Sequence, residues 1–327
     1  MKKLKKLLVC LLALSILSGC AGKKDEKTSE ENSDKKIKVG VLQFMEHVSL
    51  DAARQGFEEG LKEDGIDYEL IYKNVEGDIS IANQTAVSLR KSGAQLIYAI
   101  GTPAAQAAQT STEDLPRIFC AVTDPKGAGL VENEKAPEKN ISGVSDYISP
   151  KEQLESFLKI FPDVKTIGTI YNIAEQNSQV QVEELKKVCQ ELGLTLEVVG
   201  VQSINDIPQS IASLSKKIDA FFALTDNLVA NAAPIVSENL LKYNLPSVSA
   251  EEGQVSKGLL ISDGVVYEDL GKQAGNMAAK VLKGEKIENL PVETYKNHEI
   301  KINKKTAEKL GLDLNNQYLK NAVTVGE

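Results

Sequence analysis

Two periods of hydrophobic and polar residues alternate along the chain from Ile37 onward. Short, nearly continuous apolar runs, typical of strands buried in a parallel sheet, alternate with segments whose apolar residues recur at helical spacing. One clear strand pattern, residues 115–122, stops abruptly at Thr123-Asp124-Pro125. Because alternating strands and helices build parallel sheets covered by helices, the pattern predicts an α/β fold.

The predicted elements occur twice in the same order. The first series has strands at 37–43, 68–72, 96–100 and 115–122, and helices at 50–64, 79–91 and after Thr102, the expected N-cap. The second has strands at 166–171, 195–199 and 220–224, and helices at 180–192 and 207–214. Paired motifs such as Asp78-Ile79 and Asp206-Ile207 keep this order. The repetition predicts two Rossmann-like lobes of one topology rather than a solenoid of short repeats.

The first 36 residues follow a different pattern. Four Lys precede a short apolar core, which is typical of an export signal. The segment Leu17-Ser18-Gly19-Cys20 resembles the lipobox of bacterial lipoproteins, which implies cleavage of residues 1–19 and lipidation of Cys20. Residues 20–36 carry no large apolar side chain, so we expect a disordered tether. The expected location is the outer face of the bacterial cytoplasmic membrane, held by the lipid anchor.

Composition excludes several kinds of partner and chemistry. The net charge of −8 and the pI near 5.2 argue against nucleic acid. Only two His are present, and we find no nucleophile elbow and no cluster of metal ligands, so we expect neither an enzyme nor a metal or other cofactor. Cys120 and Cys189 fit either two small buried side chains or a disulfide.

Polar side chains follow the strands in both predicted lobes. In the first lobe they are Gln43, Glu46, Thr102, Thr123 and Asp124; in the second they are Tyr171, Asn172, Asn177, Thr225, Asp226, Asn227, Glu251 and Asp263. Ligands bind at the carboxyl ends of parallel strands, and clefts between domains are favoured sites. We therefore expect these groups to meet across a cleft that closes on a ligand by a hinge motion.

Six segments, in order, carry a family resemblance: residues 41–47 (VLQFMEH), 101–106 (GTPAAQ), 121–130 (AVTDPKGAGL), 171–180 (YNIAEQNSQV), 224–227 (LTDN) and 250–253 (AEEG). They resemble the substrate-binding lipoproteins of ABC importers with the type I periplasmic-binding-protein fold, in the branch of tryptophan and phenylalanine binders. The resemblance covers about residues 37–310.

The resemblance implies three crossovers between the lobes, expected near residues 147–149, 264–266 and 290–292. The first lobe would comprise 37–147 plus 265–290, and the second 148–264 plus 291–327. The resemblance also implies capture of a small solute and its delivery to a membrane permease driven by a separate ATPase; no Walker A motif is present. A lipoprotein that senses a ligand and signals to a membrane receptor would carry the same residues and stays open as an alternative.

A free amino acid is the expected ligand, possibly an aromatic one. Its ammonium group needs acceptors, for which the candidates are Asp124, Asp226, Glu251 and Asp263. Its carboxylate needs donors, for which the candidates are Thr102, Thr123, Ser178 and the helix after Thr102. Phe44 and Tyr171 could face the side chain, although helix capping or core packing explains these residue types equally well.

One departure from the family pattern leaves the ligand open. Asp263 and Val266 stand where family members often carry an aromatic residue and an acid. Another amino acid or a small polar nitrogen compound therefore remains an alternative.

Overall fold

The structure, a computed structural model, describes residues 36–326, and from Lys36 onward the chain forms one unit. The predicted signal peptide, the lipidated Cys20 and the tether up to residue 35 lie outside the described residues. Within residues 36–326, no helix combines the length and the apolar character needed to cross a bilayer.

The chain first forms five parallel strands with helices between them. They are β1 (Ile37–Gln43), α1 (Val48–Glu63), β2 (Tyr68–Asn74), α2 (Ile79–Lys91), β3 (Leu96–Ile100), α3 (Thr102–Ser111), β4 (Arg117–Cys120) and β5 (Ile141–Ser145). The strands lie side by side in the order β2-β1-β3-β4-β5. This order is that of a doubly wound sheet, with helices covering its faces.

A second set of elements follows. They are α4 (Pro150–Ile160), β6 (Thr166–Asn172), α5 (Gln176–Glu191), β7 (Thr195–Val201), α6 (Ile207–Leu214), β8 (Ala220–Ala223), α7 (Asn227–Asn231), α8 (Ala233–Lys242), β9 (Ser247–Glu251), α9 (Glu252–Ser256) and β10 (Ile261–Val265). The strand order β7-β6-β8-β9-β10 repeats that of the first set. The predicted pair of α/β lobes with one topology is confirmed.

The last elements return to both sheets. They are α10 (Tyr267–Leu282), β11 (Glu293–Thr294), β12 (His298–Asn303), α11 (Lys304–Lys309) and β13 (Val323–Val325). α10 packs on α1, and β11 pairs with β5, which completes a six-stranded sheet. β12 runs antiparallel to β10, and β13 follows it in a seven-stranded sheet. We call the six-stranded sheet with its helices the first lobe and the seven-stranded sheet with its helices the second lobe.

Three segments connect the lobes. They join β5 to α4, β10 to α10, and β11 to β12. The third segment lies between Thr294 and His298, a few residues after the expected range 290–292. It lies later because Glu293 and Thr294 still pair with β5 of the first sheet.

Two backbone conformations change the expected ends of elements in the first lobe. Gly101, rather than Thr102, occupies the N-cap of α3, with a φ of +93° that favours glycine. Thr102 is the first helical residue. Ala121 has a φ of +55°, in the left-handed region, so extended β4 ends at Cys120 and not at residue 122.

The two Cys of the folded body are free. Cys120 lies in the core of the first lobe and Cys189 in that of the second. Burial raises the pKa of Cys120 to about 12 and that of Cys189 to about 11, so both stay protonated thiols. Of the two alternatives, the structure has small buried side chains and no disulfide between them.

The contact between α1 and α10 depends on glycine. A Cβ atom on Gly56 of α1 would lie 1.8 Å from the carbonyl oxygen of Glu268, and one on Gly271 of α10 would lie 1.9 Å from that of Ala53. Both obstacles are backbone atoms, which no rotamer change can move. The two helices therefore approach each other more closely than side chains would allow.

We expect Gly271→Ala to lower the free energy of unfolding by about 1–3 kcal/mol or more, because its methyl group must push the two helices apart. Urea denaturation followed by circular dichroism measures the change. Gln55→Ala, on the exposed side of α1, is the control and should stay within about 0.5 kcal/mol of the parent. Equal stability of the parent and Gly271→Ala would contradict the tight helix contact.

Candidate functional site

The two lobes meet along the carboxyl ends of their strands. Thr123 follows β4 of the first lobe, and Thr225 follows β8 of the second. Their hydroxyl oxygens lie 3.1 Å apart, within hydrogen-bond distance. The two side chains expected on opposite walls of a cleft therefore touch, and the structure shows the cleft closed.

Side-chain contacts at the rim also join the lobes. His47 Nε2 lies 3.2 Å from Asn227 Oδ1. Gln176, at the start of α5, accepts a hydrogen bond of 2.6 Å from Gln106 and donates one to the carbonyl of Gly127. Because these contacts involve protein groups alone, they favour the closed arrangement without help from a ligand.

A small polar cavity lies between the lobes. Five predicted site residues line it: Asn177, Thr225, Asp226, Asn227 and Glu251. Five further residues that we had not proposed as site residues also line it: His47, Leu50, Ala121, Asp146 and Tyr267. The left-handed conformation of Ala121 turns the chain at the end of β4, directly at this cavity. We call this space the cleft cavity.

The cleft cavity is rich in acids and has no Lys or Arg among the residues that line it. Burial raises the pKa of Glu251 to about 7, and burial together with the charge of Glu175 raises that of Asp226 to about 7. Burial also raises the pKa of Asp146 above its usual value. Among residues 36–326, no group of three or more His, Cys, Asp or Glu is arranged to hold a metal ion. The cleft cavity therefore presents acidic groups without a compensating basic side chain among its lining residues.

Two acceptor oxygens in the cleft cavity lack a donor within the described protein. Asp146 Oδ2 accepts a hydrogen bond of 2.7 Å from the Tyr267 hydroxyl, but buried Asp146 Oδ1 accepts none of ordinary geometry. Asn177 donates from Nδ2 to the carbonyl of Thr225 at 2.9 Å, and its buried Oδ1 also lacks a donor. Buried polar atoms are nearly always paired, so these oxygens indicate a ligand that carries N–H or O–H groups.

Asp226 is held by its own lobe. Its carboxylate accepts hydrogen bonds from the Asn172 backbone at 2.6 Å, the Ser178 hydroxyl at 2.7 Å and the Val229 backbone at 2.9 Å. The last of these bonds caps α7. Asp226 therefore contributes charge to the cavity and fixes the wall, while the Ser178 hydroxyl is already committed to Asp226.

Sequence reasoning missed Glu175, a fully buried acid behind the cavity wall. It accepts hydrogen bonds from the side chain of Asn172 at 3.0 Å and from the backbone of Asn227 at 3.1 Å and Leu228 at 3.2 Å. The Asn227 side chain also donates to it at 2.5 Å, which leaves Asn227 Oδ1 turned toward His47. Its position in the sequence could have revealed it, because Glu175 lies three residues after Asn172, just beyond the end of β6.

A second, small adjoining cavity shares Asp146 and Thr225 with the cleft cavity. Its walls include the apolar side chains of Phe222 and Leu224 and the ring of Tyr147, with Thr123 at the junction. The cleft thus combines a polar compartment with a more apolar one. This combination matches a small amphipathic molecule.

Three predicted site residues pack within their own lobes. Phe44 is buried in the core of the first lobe. It packs so closely on Gly101 that a Cβ atom added to this glycine would lie 3.2 Å from the Cβ atom of Phe44. Thr102 is buried at the start of α3 and lines neither cavity. Tyr171 is half-buried against the hydrophobic core of the second lobe.

Three others lie elsewhere on the molecule. Glu46 is exposed at the mouth of the cleft and accepts a hydrogen bond from the Tyr72 hydroxyl at 3.0 Å. Asp124 accepts a hydrogen bond from the Gly127 backbone at 2.7 Å and stabilises the turn after β4. Asp263 lines a different cavity on the second lobe.

A family model described as ABC transporter substrate binding protein matches residues 38–326 of this chain. The chain belongs to the ABC transporter substrate-binding proteins. The predicted type I periplasmic-binding-protein fold is confirmed, and the closed cleft between two lobes is the place where such a protein holds its substrate.

Individual relatives agree with this assignment. A protein named tyrosine-binding protein from Clostridioides difficile (strain R20291) is 38% identical over 95% of this chain and 93% of its own length. A domain from Streptococcus pneumoniae solved in complex with L-Trp has 37% identity and a TM-score of 0.84, over 89% of this chain and all of that one. A ligand-free, open substrate-binding protein with adhesive properties from Clostridium difficile also has 37% identity, over 88% of this chain and 99% of that one, but its TM-score is 0.69. At equal identity, the substrate-binding protein described here resembles the L-Trp complex more than the open structure, in line with its closed cleft.

Acid should favour closure of the ligand-free substrate-binding protein. Burial in the closed form raises the pKa of Glu251 to about 7. We expect opening of the lobes to expose this carboxyl to water and so to lower its pKa toward the ordinary value. The closed form therefore binds more protons than the open form as the pH falls from about 7 toward about 4.5, and it gains stability over that window. X-ray scattering should show a smaller radius of gyration at about pH 5 than at about pH 8.

Glu251→Gln should reduce this pH dependence, because glutamine cannot take up the proton. A radius of gyration that is independent of pH in the parent protein would contradict burial of Glu251 by closure.

Proposed function

We propose that this protein is an exported, lipid-anchored binding protein that captures a free amino acid with an aromatic side chain and delivers it to an ABC permease with a separate ATPase. The ligand enters the open cleft, bridges the two lobes and is enclosed as they close. Its role is binding and delivery, without catalysis.

The observation that carries the proposal is the pair of unpaired acceptors in the cleft cavity. Neither Asp146 Oδ1 nor Asn177 Oδ1 accepts a hydrogen bond of ordinary geometry from the protein, although the Thr123 hydroxyl lies close enough to the Asp146 carboxyl to offset part of the rise in pKa that burial causes. An ammonium group has three N–H donors and one positive charge. It would satisfy both oxygens and offset the charge of the acids around it. A neutral or anionic solute would leave those acids uncompensated.

The carboxylate of the ligand has a separate place near the first turn of α1. The first backbone N–H groups of a helix have no partner within the helix and attract anions, and α1 is 16 residues long. Ser49, in this turn, is buried against Gly253 of the second lobe, and His47 precedes it at the cleft. Desolvation lowers the pKa of His47, so its ring is neutral and its single N–H faces Asn227 Oδ1; the donors for the ligand carboxylate are the backbone N–H groups of this turn. These donors replace Thr102 and Ser178, which point elsewhere.

The apolar side chain of the ligand is placed beside Phe222, Leu224 and Tyr147, which line the adjoining cavity. Aromatic side chains gain most from such walls because they bury a large area with few rotatable bonds. The relative named for tyrosine binding and the similar structure that holds L-Trp support an aromatic amino acid. A ligand of this class would touch both lobes at once.

Delivery to a permease requires that the protein stays at the membrane. In this proposal, a lipid attached to Cys20 holds it there. Cys20→Ala should move the protein from the membrane fraction to the soluble fraction and abolish labelling by radioactive palmitate, because the acyl chains provide the membrane affinity. Cys189→Ala, a change in the folded body, is the matched control and should leave both properties unchanged. Palmitate labelling of Cys20→Ala would contradict the anchor and leave the ligand proposal intact.

The ligand can be identified directly. Mass spectrometry of the small molecules released when the purified protein is unfolded should detect an amino acid. Calorimetry with the refolded, ligand-free protein should then give one tight site for tyrosine, tryptophan or phenylalanine. Absence of heat with every amino acid would exclude the proposed ligand class.

Asp146→Asn should weaken binding of the amino acid that calorimetry identifies by at least about tenfold, because it removes a charged acceptor from a buried ammonium group. Asp163→Asn, an exposed acid of the second lobe without a partner in the described structure, is the control and should bind as the parent does. Equal affinity of Asp146→Asn and parent would place the ammonium group elsewhere.

A further inference from the structure

Asp263 has no part in the cleft, and its surroundings need another explanation. It lies on β10 and lines a separate cavity of about 110 Å³ on the second lobe. This cavity, which we call the rear cavity, lies among α4, β9, β10, β12 and the short 3-10 helix Gln317–Leu319. Gln153 of α4 separates it from the cleft: its side chain lines both spaces and donates to the Asp263 carbonyl at 2.8 Å.

The walls of the rear cavity are mainly apolar. They are formed by Phe157, Ile160, Val248, Ile261 and Ile300. A space with apolar walls and a few polar groups has the form of a small-molecule site. These walls would accept an aliphatic or aromatic side chain and bind it by the hydrophobic effect.

Two opposite charges face this apolar surface. Asp263 is half-buried, and Lys159 is exposed at the rim. Within the described residues, neither side chain has an ion-pair or hydrogen-bond partner. Asp263 lines the cavity together with Ile261 of the same strand, so its carboxylate lies on a wall that is otherwise mainly apolar. An unpaired charge in such a setting is costly unless a ligand compensates it.

We propose that the rear cavity is a second binding site, for a free amino acid with an apolar side chain. The ammonium group pairs with Asp263, the carboxylate with Lys159, and the side chain packs against Phe157, Ile160 and Ile300. A simple amine could pair with Asp263 but would be repelled by Lys159, and a simple carboxylate could pair with Lys159 but would be repelled by Asp263. An uncharged molecule would leave both charges unpaired. Among these ligands, only a zwitterion with an apolar side chain pairs with Asp263, pairs with Lys159 and packs on the apolar wall. This site does not depend on which solute the cleft binds.

Methyl NMR of the whole folded body, labelled at isoleucine δ1 positions, tests the site. Ile160, Ile261 and Ile300 report on the rear cavity, and Ile148 reports on the cleft. Titration with L-phenylalanine should shift the first three signals in a saturable manner. Because Ile148 is observed in the same spectra, the experiment distinguishes a rear cavity that does not bind from a cleft that does not bind. Unshifted signals of Ile160, Ile261 and Ile300 at the solubility limit of L-phenylalanine would overturn the proposal.

Two analogues test the class of ligand. Phenethylamine lacks the carboxylate and 3-phenylpropionate lacks the ammonium group, so each should bind the rear cavity at least about tenfold more weakly than L-phenylalanine. Equal binding of either analogue would show that the charges do not select a zwitterion and would overturn the assignment.

Asp263→Asn and Lys159→Met test the two charged groups separately. Each should weaken the response of Ile160, Ile261 and Ile300 by at least about tenfold, while the response of Ile148 to the cleft ligand persists. Asp163→Asn, which removes an exposed acid from the same lobe, should change neither response. If Asp263→Asn fails to fold, exposed Lys159→Met decides the outcome. Unchanged binding in Lys159→Met would exclude the proposed mode.

Discussion

The rest of the structure depends on one electrostatic constraint. Acidic side chains are enclosed between the two lobes, and no cationic residue of the described chain lies among them. Asp146 comes from the first lobe and Glu251 from the second, and closure removes both from water. Such charges are stable in a low-dielectric space only when a proton or a bound cation compensates them. A proton or a bound cation is therefore part of the electrostatic balance of the closed form. Under the proposed function, the ammonium group of the solute takes this place and the adjoining apolar space receives its side chain.

The alternation of strands and helices was predictable because buried parallel strands and amphipathic helices leave different periods in a sequence. The bounds of β1, α2, β3 and α6 agree with the predicted ones. The duplicated topology followed from motifs that recur in the same order. Element ends were harder to place, because they depend on single backbone conformations. Gly101 and Ala121 illustrate this: their positive φ angles decide where α3 begins and β4 ends.

The site was predictable only in part. The ends of parallel strands indicated Thr123, Thr225 and Asn177, which do meet at the cleft. Sequence did not reveal which face of β10 Asp263 occupies, because a shift of one residue moves a side chain to the other face of a sheet. Glu175 and Asp146 were missed for a related reason. Both act through hydrogen bonds to residues that become neighbours only after folding.

The packing of α10 on α1 has a consequence for biogenesis. Ala53 and Gly271 belong to parts of the chain more than two hundred positions apart, yet their backbones are in direct contact. The N-terminal half alone therefore lacks the helix that shields the apolar side of α1 from water. The first lobe can therefore complete its packing only when the late segment is present. A chain that ends before α10 would leave this apolar surface exposed and would be a target for proteolysis.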